Sequence, residues 1–240
     1  LRATRGVLPA AVAARREGAR MIVVPRANAG EAALIEGLEV RAAADLGQIV
    51  RWLRREGDPP PVALPRQREE TIGGPDLADV LGQSSARRAL EIAAAGGHHV
   101  ALAGVPGAGK TMLASRLPGL LPPLDDATAL ALAAVRSVIG SLPPDAGLSR
   151  RPPFEAPHHS ASVAALVGGG SGVARPGAIS RAHGGVLFLD EAPEFAMAAL
   201  DSLRQPLESG EVTLHRSGGP VSYPARFQLV LAANPCPCAS

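Results

Sequence analysis

The sequence predicts an α/β protein in which a parallel sheet is flanked by helices, and three observations carry that expectation. Short apolar runs that do not alternate with polar residues have the composition of strands covered on both faces: "HVALAG" (99–104), "VLFLDE" (186–191) and "FQLVLAAN" (227–234). Stretches with apolar residues at helical spacing lie between them, the alternation that builds a parallel sheet from strand–helix units. The first of these strands also runs through a glycine-rich turn straight into a helix, "GVPGAGKT" (104–111).

In chain order, "PAAVAARREGA" (9–19) reads as a helix stopped by Gly18, and "RMIVVP" (20–25) as a β-branched strand stopped by proline. A second helix over 29–38, a second strand over 38–43 and a third helix over 45–56 follow, the last N-capped by Asp45 and ended at Gly57. Residues 57–70, "GDPPPVALPRQREE", contain four prolines and no periodicity, and mark a linker between a region 1–56 and a region 71–240. Beyond it come a helix over 84–97 with glycine at its end, the strand 99–104 and a helix opening at 110. His98 is read as a strand-entry residue. A long helix over 125–140 has acidic residues in its first turn, where the helix dipole favours them. The strand 186–191 ends in two carboxylates, a helix covers 196–208, and "EVTLHRSGGPVSYPA" (211–225) reads as a hairpin turning at Gly-Gly.

Composition narrows the function. With 240 residues, 46% of them hydrophobic, and a mean hydropathy of +0.13, the chain can bury one good core and part of a second. A net charge of +2 excludes a broad basic field, so any nucleic-acid contact must come from local arginines. Two cysteines, Cys236 and Cys238, offer no disulfide framework and point to a reducing, cytoplasmic setting. No apolar run reaches the roughly 18–20 residues of a membrane span. Leu1 and the strand just before the last residues read as the ends of a piece cut from a longer chain.

Of the 24 Lys and Arg residues only one is lysine, Lys110, and it stands in "GVPGAGKT". That stretch is the Gly-x4-Gly-Lys-Ser/Thr phosphate loop. Its residues Gly104, Val105, Pro106, Gly107, Ala108, Gly109, Lys110, Thr111 and Met112 form the expected nucleotide-binding set. Glycines let backbone N–H groups curl around phosphate oxygens without a Cβ in the way, and the helix that follows offers its unpaired N–H groups. Lys110 supplies a compact charge to the β/γ oxygens of ATP, for which a planar guanidinium is the wrong shape. Thr111 supplies a hydroxyl for Mg²⁺. Asp190 is expected on the magnesium side and Glu191 as the group that orients and deprotonates water. Asn234, ending the next strand, is the third catalytic expectation alongside Lys110 and Glu191, against the plainer reading of a turn residue before Pro235.

"APHHSASVAALVGGG" (156–170) poses a separate question. Adjacent histidines point to opposite faces of a strand, or diverge by about 100° on a helix, so His158 and His159 make a poor chelating pair. Packing and hydrogen bonding is favoured over metal binding, and over Ser160 as a nucleophile. Cys-Pro-Cys at 236–238 supplies at most half of a zinc site.

The order of phosphate loop, Asp-Glu strand, hairpin and Asn-ended strand resembles AAA+ ATPases. More narrowly, residues 90–124, 156–170, "PGAISRAHGGVLFLDEAPEF" (176–195) and "LRQPLESGEVTLHRSGGPVSYPARFQLVLAANPCPC" (203–238) resemble the ComM/YifB family of magnesium-chelatase-like AAA+ proteins. The resemblance implies a P-loop AAA+ core over 71–240, truncated after its first sensor, and a ring, as a homo-hexamer, with ATP between subunits. It implies work on DNA of the branch-migration helicase type. A chelatase-type motor driving metal insertion and a nucleotide-dependent switch are the alternatives. It further implies that 167–181, with Arg175 and Arg181, form an insert, and that 211–225, with His215 and Arg216, form a hairpin, both able to meet a phosphate backbone. Residues 1–56 resemble the end of a Lon-protease-like domain. The dyad lysine of Lon would fall within 6–19, and no lysine precedes Lys110, so a structural or protein-contact role is expected instead. Glu155 departs from the arginine expected before "APHH". The arginine finger, second sensor and lid of the family would lie beyond residue 240, so residues 1–240 alone are expected to hydrolyse ATP slowly at best.

Overall fold

Parallel pairing dominates the sheets, as strands without alternation require. The computed structural model describes residues 1–64, 74–143, 147–170, 174–215 and 219–235. Two compact units emerge: Leu1–Glu70 with Ala129–Ser149, and Thr71–Thr128 with Arg150–Ser240. Residues 129–149, placed above with the region 71–240, thus cluster with the first unit. The cause is visible in the helix Asp126–Ile139, whose Ala133 lies in the apolar core of that unit with Leu130 and Ala134 packed on it.

In the first unit, strands β1 (Met21–Pro25) and β2 (Glu39–Ala43) pair in parallel from Met21↔Glu39 to Pro25↔Ala43. The helix Val7–Arg16 buries Val7, Leu8 and Ala11 and ends where Gly18 takes φ 84°. The helix expected over 29–38 contracts to Ala29–Ala32. Beyond it the N–H groups of Leu34 and Ile35 bond three residues back, to Glu31 and Ala32, and Gly37 turns the chain at φ 72°. Asp45 caps the helix Leu46–Leu53 by accepting from the Gln48 N–H. That helix stops before Gly57, because Arg55 itself adopts φ 62° while Glu56 and Arg55 donate to Arg51 and Trp52 carbonyls.

The second unit is built on four parallel strands. With two antiparallel pairs outside that sheet, the unit's strands in chain order are β3 (Val100–Ala103), β4 (Phe154–Glu155), β5 (Gly168–Gly169), β6 (Arg175–Pro176), β7 (Val186–Leu189), β8 (Glu211–Leu214), β9 (Val221–Pro224) and β10 (Gln228–Ala233). The main sheet has the order β3-β10-β7-β4. Every residue of β7 is fully buried, and Phe188 stacks on Phe154 of β4 at 5.8 Å. Burying each side chain of β7 stabilises the unit by about 1.5–3 kcal/mol. β3 was expected to be buried throughout, but it lies at the end of the described sheet, where Ala101 and Ala103 are exposed. The helix expected over 196–208 is two, Met197–Asp201 and Arg204–Ser209, since Pro206 cannot donate to Ser202 and its ring crowds that carbonyl. β8 and β9 form the expected antiparallel hairpin. The buried hydroxyl of Tyr223 in β9 donates to Ala174 O at 2.5 Å, fixing the hairpin to the segment that enters β6, and burial pushes its phenol pKa up.

Candidate functional site

β3 delivers the chain to Gly104, and a helix begins at Lys110. Between them Gly107 and Gly109 take φ 79° and 82°, the left-handed region that glycine enters without strain. A Cβ on Gly109 would also sit 3.0 Å from Gln83 Nε2 and 3.1 Å from Met112 Cε. Gln83 was not anticipated; its side-chain amide donates to Ala108 O at 3.0 Å and braces the loop from outside.

Sheet order explains how the remaining groups arrive. β10 lies between β3 and β7, so the residues that follow these three parallel strands meet at one end of the sheet. Lys110 Nζ donates to Gly104 O (2.7 Å), to Val105 O (3.2 Å) and to Oδ1 of Asn234, which follows β10 (2.8 Å). Thr111 Oγ1 donates to Asp190 Oδ2 at 2.7 Å, and Asp190 Oδ1 accepts from the Glu191 N–H at 3.0 Å. Pro106 to Met112, Asp190, Glu191 and Asn234 line one cavity of about 340 Å³. Every residue predicted at the phosphate loop except Gly104 and Val105 is in that lining, and those two face Lys110 through their carbonyls.

Glu191 carries a feature that the sequence does not announce. Its φ of 51° is left-handed, uncommon for a residue with a Cβ. Its Oε2 lies 3.1 Å from His159 Nδ1. The two histidines occupy a turn, neither strand nor helix, and their rings pack side by side with centroids 4.0 Å apart instead of diverging. His158 Nδ1 meets Ser160 Oγ at 2.8 Å.

The expected polymer contacts are distributed differently. Arg175 is exposed in β6, and His215 is exposed just after β8. Arg181 Nε donates to Glu155 Oε2 at 2.9 Å with both side chains about one-third exposed or less, so the unexpected glutamate and this arginine pair their charges. Arg216, Cys236 and Cys238 lie outside the described residues. Among the described residues no group of three or more His, Cys, Asp and Glu side chains is placed to hold a metal ion, and no helix is long and apolar enough to cross a membrane.

Comparison with known proteins adds to this geometry. Residues 76–240 match the family described as magnesium chelatase, subunit ChlI. An uncharacterized protein of Mycobacterium tuberculosis, Rv2897c, is 58% identical over 100% of this chain and 47% of its own length. Competence protein ComM of Haemophilus influenzae is 46% identical over 99% of this chain and 47% of its own. The chain therefore spans about half the length of these relatives. Among solved structures, a model of the complex between subunits BchI and BchD of magnesium chelatase, based on a cryo-EM reconstruction, superposes with a TM-score of 0.51 at 25% identity. That match covers 69% of this chain and 56% of that one. The fold is the α/β P-loop fold of AAA+ proteins.

Proposed function

The chain belongs to the magnesium chelatase subunit ChlI family, and from that premise we propose that it binds ATP with Mg²⁺ at residues 104–112 and hydrolyses it in a ring-forming motor that acts on DNA. One observation carries the ATPase reading: Lys110, Thr111, Asp190, Glu191 and Asn234, drawn from three strand ends, line a single cavity. Lys110 now holds two carbonyls and an amide oxygen. Phosphate oxygens are stronger acceptors for an ammonium, so binding exchanges neutral hydrogen bonds for charge-assisted ones. Thr111 and Asp190 present oxygen ligands 2.7 Å apart, a hydroxyl and a carboxylate of the hard kind Mg²⁺ takes. They would hold that ion, which when bound neutralises phosphate charge. Glu191 orients a water and accepts its proton, and Asn234, adjacent to Lys110, positions the terminal phosphate.

Support for DNA as the substrate is the 46% identity to competence protein ComM, together with exposed Arg175 and His215. In this reading the assembly is a homo-hexamer working in the cytoplasm, and residues 1–56 are a Lon-like structural or contact module without a dyad lysine. The second reading, a chelatase-type motor that drives metal insertion, is favoured by the likeness to the BchI–BchD assembly. ATPase assays on the full-length protein separate the two. Stimulation by branched or single-stranded DNA is expected; no response to DNA, with turnover dependent on a partner subunit, supports the chelatase reading instead.

A further inference from the structure

We propose that His159 is the positioning residue of Glu191, holding one carboxylate oxygen so that the other faces the attacking water; this rests on the reading of the cavity as an ATP-hydrolysing site. The sheet register brings the two segments together. β4 pairs with β7 in parallel, Phe154↔Val186 and Glu155↔Leu187, so the chain leaves both strands at the same end. A few residues on, the turn after β4 lies beside the turn after β7, and His159 Nδ1 comes 3.1 Å from Glu191 Oε2.

An ionised carboxylate only accepts hydrogen bonds, so Nδ1 of His159 must carry the proton. His158 has the opposite assignment. Its Nδ1 accepts the Ser160 backbone N–H at 3.3 Å and meets Ser160 Oγ at 2.8 Å, so its proton lies on Nε2. Ser160 thus fixes the His158 ring, and His158 packs against His159 at 4.0 Å with a 36° tilt. Ser160, His158 and His159, all from one turn, form a brace against Glu191.

Glu191 is a residue that needs such a brace. Its left-handed backbone, φ 51°, aims the side chain from an unusual position, and the side chain is about half exposed. A half-exposed glutamate has several rotamers open to it, and a general base works only from a narrow range of positions. Occupying Oε2 with a fixed donor limits those rotamers and leaves Oε1 for water.

The test is steady-state ATP hydrolysis and ATP binding by the full-length protein carrying His159→Leu, which removes the donor and keeps bulk, or His159→Asn, whose amide can place an N–H near the position of Nδ1. Because general-base catalysis contributes about 10²–10⁴-fold, loss of positioning is expected to lower kcat in His159→Leu by about 10-fold or more, with ATP affinity within about twofold. His159→Asn is expected to return kcat to within about threefold of the unsubstituted protein, and adding His159→Leu to Glu191→Gln to change kcat by less than about twofold. Unchanged kcat in His159→Leu, equal loss in His159→Asn, or a fall in ATP affinity matching the fall in kcat overturns the proposal. If Glu191→Gln stops turnover and His159→Leu does not slow it, the proposal alone fails. If the unsubstituted protein does not hydrolyse ATP, or Glu191→Gln turns over equally fast, the hydrolytic reading fails with it.

Discussion

Glu31 in the first unit and Glu191 in the second are both hydrogen-bonded glutamates, and they serve opposite ends. Glu31 is 8% exposed. Its Oε1 accepts from Asn28 Nδ2 and its Oε2 from Ser137 Oγ, both at 2.5 Å, while the same Asn28 amide also donates to Thr4 O. Both carboxylate oxygens are occupied by buried partners, and the network ties residues distant in sequence together. Glu191 stands half exposed on the wall of a cavity with one oxygen engaged by His159. A closed polar cluster spends its hydrogen bonds on the fold; an open one keeps acceptors and donors for a ligand. Residue type does not distinguish the two, but burial and closure do.

The contrast can be broken experimentally, and the largest effect belongs to the open cluster. Glu191→Gln is expected to lower ATP turnover of the full-length protein by at least about 10²-fold while ATP affinity holds, read by phosphate release and equilibrium binding. In the closed cluster, Ser137→Ala leaves an oxygen of buried Glu31 without its partner. It should cost about 1–3 kcal/mol of stability, seen as a lower urea midpoint, with ATP affinity unchanged. A change in ATP affinity there would erase the distinction between the clusters.

His183 shows that closure also occurs in the second unit. It is 7% exposed and its Nδ1 accepts the Arg226 N–H at 3.2 Å. Burial first, and the charge of Arg226 second, hold its pKa below the ordinary 6.5, with Asp125 acting in the opposite direction. The unfolded chain therefore takes up the proton first as pH falls. Stability from this group is full above 6.5, declines as pH drops through 6.5 toward the lower folded pKa, and loses nothing more below that. Urea midpoints between about pH 7.5 and 5.5 should fall on acidification, and less so in His183→Gln. The smallest effect is expected at the exposed cap: Asp45→Ala removes the acceptor of the Gln48 N–H at 2.8 Å and costs about 1 kcal/mol or less, without consequence for nucleotide.

Legibility in the sequence tracked how local each constraint is. The phosphate loop was readable because two backbone-permissive glycines, a lysine and a hydroxyl must follow a strand within a few residues. Asp190 and Asn234 were singled out from their places at the ends of apolar runs, and both line the cavity. The contact of His159 with Glu191 was not legible, since it depends on β4, two residues long and without any periodic signal, lying beside β7. The pairing of Arg181 with Glu155 was not legible either, because the two lie 26 residues apart and give no local sign that they will meet. The bond from Ser137 to Glu31 spans 106 residues and had no sequence signature at all. The breaks in the helices at Ala32 and Ser202 were missed, since apolar spacing carried the readings past Gly37 and Pro206. Arg55 in a left-handed cap was not, because glycine is the residue that pattern reading looks for there.

The central claim is that the cavity around Lys110 is a nucleotide site. Equilibrium binding of ATP with Mg²⁺ to the full-length protein, with and without Lys110→Ala, tests it most directly. The account predicts measurable affinity that falls by about 100-fold or more in the variant, since an ammonium–phosphate contact is lost in a partly enclosed site. Equal affinity in the two proteins would contradict it.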